Sequence, residues 1–232
     1  KIAADVRQRL KDQVNENPFS IANYLMLLRF NNISYGDDVS RLYENFELFD
    51  KGVKISPTRQ QVYFENGYSH FNLAIYLRKN GKDGVDEHYR LAVDSLRKAV
   101  DLNDTNLESC MQLINILIFS KDNNQEIMKM ISGMDERKKS FIGYDKENIL
   151  MQIINTAVSA GNYDLIKICA QELVKIKPEN PDYYIQLALA NAYLGNDQEA
   201  ITIAGKVASF GGQYLAQSEE FIKKVKAGGF KK

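Results

Sequence analysis

Apolar residues recur every three or four positions along this chain, in stripes that polar residues, glycine or proline soon interrupt. Val39, Leu42, Phe46 and Phe49 form one such stripe, and Ala92, Leu96 and Ala99 lie on one face of the stretch Arg90 to Leu102. Leu150, Ile153 and Ile154 make another, and after a short polar break Ile166 and Ala170 resume it. This spacing predicts amphipathic helices joined as hairpins. The hairpins repeat: Gly161-Asn162-Tyr163-Asp164 returns 34 residues later as Gly195-Asn196-Asp197-Gln198. A chain built from one repeated helix pair buries each apolar face on the next pair, so its product is an extended surface and not a catalytic pocket.

The period of 34 residues is that of the tetratricopeptide repeat. With Gly161 and Gly195 taken as position 15, the turn between helix A and helix B, the other positions can be read off. In the later repeat Tyr184, Leu187, Ala188 and Ala200 take positions 4, 7, 8 and 20, where helix A meets helix B. In the earlier one Leu150, Ile153, Ile154, Ile166 and Ala170 fill positions 4, 7, 8, 20 and 24. Pro178 falls at position 32, where it ends helix B and leads into the next helix A. Counting from Pro57 puts Tyr63 at position 4 and Gly67 at position 8; counting from Pro18 puts Tyr24 and Leu27 at positions 4 and 7. Two departures stand out. Asp104 occupies the place of a helix-ending proline, and the segment Gly81 to Asp86 is expected to lengthen a hairpin turn.

The expected fold is therefore all-α, a right-handed α-solenoid of about five tetratricopeptide-type hairpins. Between Leu107 and Met134, Cys110, Leu113, Ile114 and Leu117 fit a helix A, while Lys121-Asp-Asn-Asn124 stands where a glycine turn is usual. Helices from Ile2 to Val14 and from Gln213 to Lys226 are expected to cap the two ends. Residues 1–232 read as a single helical-repeat solenoid, with the charged segment 135–146, which holds Gly143, as a bend or linker.

Composition narrows the class. The chain is 44% hydrophobic and 26% charged with only four prolines, enough to bury a continuous helical core. Lys plus Arg and Asp plus Glu are equal at 30 each, so no global field draws it to nucleic acid or to an anionic membrane. The longest apolar run, Leu113 to Phe119, is too short to span a bilayer. The chain opens on Lys1 without an initiator methionine, so a preceding segment is expected.

Little points to catalysis. Cys110 and Cys169 sit among apolar helical neighbours and read as small core residues. The two histidines, His70 at an inter-helix position and His88 beside Asp86 and Glu87, show no metal-ligand spacing with each other or with a cysteine, and no phosphate-binding glycine loop occurs. No catalytic residue, cofactor or metal is expected. Lys223, Lys224, Lys226, Lys231 and Lys232 make a basic end that complements the dipole of the last helix.

A binding role has more to stand on. In a stack of this type, positions 5, 6 and 9 of each helix A line the concave face. Position 5 holds Phe64, Met111, Met151 and Ile185; position 6 holds Glu65, Gln112, Gln152 and Gln186; position 9 holds Tyr68, Asn115, Asn155 and Leu189. An amide ladder flanked by apolar side chains suits the backbone of an extended peptide or the hydroxyls of a sugar. A protein or peptide is the first expectation for a partner and a glycan the second. These positions lack the lysines and arginines that would clamp a terminal carboxylate; only Arg29, at position 9 of the first repeat, is cationic.

The series Asn17-Pro18, Ile55 to Phe64, Ala99 to Leu102, Ala188 to Ala200 and Ser218 to Ile222 resembles the soluble C-terminal tail of the O-antigen ligase/polymerase family of bacterial envelope proteins. Ser56-Pro57-Thr58-Arg59-Gln60-Gln61 is its most specific piece. The resemblance implies a non-catalytic interaction module on the extracytoplasmic side of the cytoplasmic membrane. It would be tethered there by a preceding membrane domain that carries the glycan-transfer chemistry. The alternative is a free-standing, soluble peptide-binding adaptor of the tetratricopeptide type, which would allow a cytoplasmic location.

Overall fold

The computed structural model describes residues 2–36, 38–119 and 123–230. Six helices come first: α1 (Ile2–Glu16), α2 (Ile21–Ser34), α3 (Ser40–Ile55), α4 (Gln60–Lys79), α5 (Val85–Leu102) and α6 (Leu107–Ile118). They are followed by α7 (Asn124–Glu136), a 3-10 turn (Lys138–Ser140), α8 (Lys146–Ala160), α9 (Tyr163–Ile176), α10 (Pro181–Tyr193), α11 (Asp197–Ala208) and α12 (Gln213–Lys226). No strand occurs among the described residues. In chain order these are the five expected pairs, α2/α3 to α10/α11, preceded by α1 and followed by α12. The Lys121-to-Asn124 stretch lies partly outside the described residues. Contacts divide the chain into two units, Lys1–Ile116 and Leu117–Lys232, with α6 running across the boundary. The segment 135–146 falls within the second unit and comprises the end of α7, the 3-10 turn and a turn at Gly143.

In the second unit the repeated Gly-Asn pair is the hinge of each hairpin. Gly161 ends α8 at φ 66°, in the left-handed region where a side chain would be strained, and its N–H donates back to the last carbonyls of the helix. Asn162 follows as the cap of α9, its side-chain oxygen accepting from Leu165 N–H at 3.2 Å. Asn162 is also buried, and its amide donates to the carbonyl of Ile118 at 3.3 Å. The second copy departs in detail. Gly195 repeats the left-handed turn at φ 77°, but the Asn196 amide donates to Asn191 Oδ1 at 3.1 Å and does not cap α11. Asn180, with Pro181 after it, caps α10. Between α10, α11 and α12, buried Ala192, Ala200, Val225 and Phe230 pack together, with Leu189, Ile201 and Phe221 around them.

In the first unit, Gly67 on α4 is the counterpart of Ala188. A Cβ there would lie 2.6 Å from Leu96 Cγ and 3.1 Å from the Ala92 carbonyl, so only glycine lets α4 and α5 approach this closely. The Gly81-to-Asp86 segment is expected to enlarge the turn; the turn is about two residues longer than that between α10 and α11, and most of the extra length goes into the helices. α4 has 20 residues and α5 has 18, against 13 and 12 in α10 and α11, and only 80–84 separate the first two. The reason is hydrophobic: buried Leu73 and Leu77 continue the α4 stripe and pack on Leu42 of α3, with Val39, Phe46 and Val85 alongside. Nor does the missing proline at Asp104 disturb the next turn. Asn103 Oδ1 accepts from Thr105 N–H and Asn106 Oδ1 accepts from Ser109 N–H at 2.8 Å, so side chains close the turn and start α6.

A buried polar network, which the hydrophobic pattern does not disclose, joins α2, α3 and α4. Asn45 accepts from Asn31 at 2.9 Å and donates to Asn32 Oδ1 at 3.1 Å and Ser69 Oγ at 2.9 Å. Asn32 in turn donates to the Glu65 carbonyl and carboxylate at 3.0 and 2.9 Å. With Arg7 and Lys11 of α1 paired to Glu44, the network reaches from the leading helix to the second hairpin.

Candidate functional site

The residues expected on the concave face fall into both units. On α4, Phe64 and Tyr68 are half-buried and lie one turn apart, ring centroids 6.5 Å from each other. Glu65, between them in sequence, turns inward: it is 6% exposed, and its carboxylate accepts from Asn32 with Arg29 Nε 4.0 Å away. Burial raises its pKa, the Asn32 bond and the Arg29 charge notwithstanding. Met111, Gln112 and Asn115 are half-buried on α6. In the second unit Met151 is half-buried and Gln152 and Asn155 are exposed on α8, while Ile185, Gln186 and Leu189 are half-buried on α10.

An open cavity of about 430 Å³ brings three of these together: Asn155, Gln186 and Leu189 share it with Val158, Tyr163, Ile166, Ala190 and Tyr193. Tyr163 and Tyr193 stack face to face, centroids 4.3 Å apart and planes 10° from parallel. Phe230 meets the Tyr193 ring edge-on at 5.1 Å and helps hold it. The groove thus offers two amides, an aromatic wall and an apolar floor. Val158 contributes a large apolar side chain that is 52% exposed. Sequence reasoning missed the two tyrosines, although each stands within two residues of a glycine of the repeated turn. A smaller cavity, about 190 Å³, lies on the other side of Leu189 and takes in Ile185, Val207, Ser218 and Phe221. Met151 and Gln152 line neither.

The histidines are placed otherwise than their 18-residue separation suggests. His70 of α4 and His88 of α5 face each other, Nδ1 to Nδ1 at 3.0 Å, and pair with each other rather than with a carboxylate. Both cysteines are buried thiols, and burial pushes the pKa of Cys169 up to about 12, so it is no thiolate nucleophile near neutral pH. Among the described residues no group of three or more His, Cys, Asp or Glu is arranged to hold a metal ion, and no helix is long and apolar enough to cross a membrane. In the last turn of α12, the Lys224 ammonium lies 4.8 Å from the Phe230 ring centroid; Lys231 and Lys232 lie outside the described residues.

No protein-family model matches the chain, and no curated protein matches it. Solved structures do. It is similar to YrrB, described as a TPR protein with an unusual peptide-binding site, with 16% identity over 94% of this chain and 97% of that one, at a TM-score of 0.52. It is also similar to the MamA protein, with 16% identity over 89% of this chain and 96% of that one, at a TM-score of 0.47. The likeness to YrrB, with the repeated hairpins and glycine turns, shows the fold: all-α, built of tetratricopeptide-type helix pairs.

Proposed function

We propose that this chain is a non-catalytic peptide-binding adaptor of the tetratricopeptide type, and that the groove between Asn155, Gln186 and the Tyr163/Tyr193 stack receives its ligand. The observation that carries this reading is the chemistry of that groove. An extended peptide has backbone donors and acceptors that an asparagine and a glutamine satisfy together, and side chains that pack on tyrosine faces and on exposed Val158. The groove contains no charged side chain, so recognition rests on backbone hydrogen bonding and apolar contact and not on a terminal carboxylate.

The narrower reading, an extracytoplasmic module of an O-antigen ligase/polymerase-like protein, has the stretch Ser56 to Gln61 as its most specific support. That stretch has a local explanation: Arg59 precedes the first turn of α4, and Gln60 is buried and donates to Ser109 Oγ. A tetratricopeptide-type hairpin accounts for these contacts without a glycan or a membrane partner, so the adaptor is the reading we adopt.

The test is a phage-displayed library of unstructured peptides selected on the intact chain, with enriched peptides titrated against wild type and the double variant Asn155→Ala/Gln186→Ala. Two lost hydrogen bonds, each about 0.5 to 1.5 kcal/mol, predict affinity weaker by roughly five- to 150-fold with the thermal transition unchanged. Equal affinity of the variant for every enriched peptide, or no enrichment, refutes the reading.

A further inference from the structure

The pair His70 and His88 lies outside the groove, and its geometry is restrictive. The nitrogens are 3.0 Å apart and the ring centroids 5.2 Å, a difference that two ring radii laid end to end supply, and the planes differ by 26°. The two Nδ1 atoms therefore point at each other along one line. Phe46 of α3 lies over the pair, stacked on His70 at 4.2 Å and 16°. A metal ion does not fit between nitrogens that point at each other along one line, since two collinear metal–nitrogen bonds of about 2.0 Å each need a gap of about 4 Å.

A neutral imidazole has one N–H donor and one lone-pair nitrogen. For this contact to be a hydrogen bond, one ring carries its proton on Nδ1 and the other on Nε2. Adding one proton leaves the bond in place, because an imidazolium Nδ1–H still faces a lone pair. Adding a second puts an N–H on both Nδ1 atoms, and two positive charges then face each other beneath an apolar ring. Only the doubly protonated state is incompatible with the observed contact.

The pair stands where its loss has a consequence. His88 is in the first turn of α5, and His70 lies one turn before Leu73, which with Leu77 packs the long tip of the second hairpin onto Leu42. From these observations we propose that the His70–His88 pair is an acid-operated latch that holds the tip of the α4/α5 hairpin against α3 and releases it when both rings are protonated. The charges around it do not neutralise the second proton. Glu87 on α5 is the carboxylate that acts on both rings, but it is engaged by Arg90 at 2.8 Å and is exposed. From α3 the pair meets the uncharged ring of Phe46, and α2 presents Asn32 to neighbouring Ser69. Burial and the His88 charge lower the pKa of His70 to about 4, in keeping with this arrangement.

The sign follows from linkage. The unfolded chain binds this proton near pH 6.5 and the folded chain near pH 4, so the stabilisation is complete above pH 6.5 and is lost as pH falls toward 4. Hydrogen exchange of the intact chain, corrected for intrinsic rates, is compared at pH 7 and pH 5, alongside His ring NMR titrations. The expected result is about tenfold faster exchange at the tip, residues 73–90, at pH 5, with the α10/α11 hairpin unchanged. His70→Phe, which keeps the stack on Phe46 and removes the buried titrating ring, is expected to remove most of that difference; His88→Gln, whose amide serves as acceptor or donor to His70 without a second charge, is expected to reduce it to the part that burial of His70 causes. If the tip exchanges alike at both pH values, if both rings titrate near 6.5, or if His88→Gln keeps the wild-type difference, the latch is refuted.

Discussion

The Tyr184 hydroxyl donates to the Pro178 carbonyl at 3.1 Å, and Tyr63 makes the same bond to Pro57 at 2.9 Å, a hundred and more residues earlier in the chain. Each tyrosine lies at position 4 of its repeat and each proline at position 32 of the one before. The bond ties the entry of a helix A to the turn that leads into it, and its recurrence in both units is structural evidence for the repeat frame. Tyr184→Phe keeps the ring against Phe210, centroids 5.8 Å apart, and loses only the hydroxyl bond. Urea unfolding should register a loss of about 0.5 to 1 kcal/mol; no loss would mean that the bond contributes nothing in solution.

Glycines within helices separate into two kinds. Gly67→Ala pushes a methyl group into Leu96 and the Ala92 carbonyl, and the overpacking cost of about 1 to 3 kcal/mol exceeds the gain of up to about 1 kcal/mol in helix propensity. Gly205→Ala meets no atom within 4 Å, so only the gain remains and the variant should be stabilised by about 0.5 to 1 kcal/mol. Opposite shifts in the denaturation midpoint are expected. A shift of the same sign for both would contradict the close α4/α5 approach.

Ala200 is fully buried against Ala192, Val225 and Phe230. Ala200→Glu places an unpaired carboxylate there, a penalty of several kcal/mol. Circular dichroism should show early melting confined to part of the helical signal, with exchange protection lost first in α10 to α12. An unaltered melt would show that the repeat register is misassigned.

Glu65 is an acid whose buried carboxylate has a raised pKa, so the folded chain holds its proton more tightly than the unfolded chain. The stability tied to that proton is complete below the unfolded pKa near 4.5 and is lost as pH rises through the higher folded value. Glu65→Gln keeps an oxygen acceptor for Asn32 and removes the charge. It should raise the melting temperature at pH 7 and leave it unchanged near pH 4, where wild type is itself neutral. A variant less stable at pH 7 would show that the Arg29 pairing outweighs the burial of the charge.

The sequence by itself determined the helices, their pairing and the turns. Apolar spacing, a period of 34 and the Gly161 and Gly195 turns are local signals, because a left-handed turn residue and a helix cap act within a few residues of themselves. The twin bonds of Tyr63 and Tyr184 follow from the same frame. Tertiary structure decided which polar side chains face inward. Glu65 and Gln186 hold the same repeat position, yet Glu65 is buried because α2 presents Asn32 to it, whereas Gln186 opens onto the groove. Tyr163 and Tyr193 are 30 residues apart and meet only because α9 packs on α10; His70 and His88 are 18 residues apart and meet because α4 packs on α5. Repeat position specifies a direction from the helix axis, but the neighbouring helix decides whether that direction leads to water or to a partner, and this depends on contacts between residues far apart in the chain.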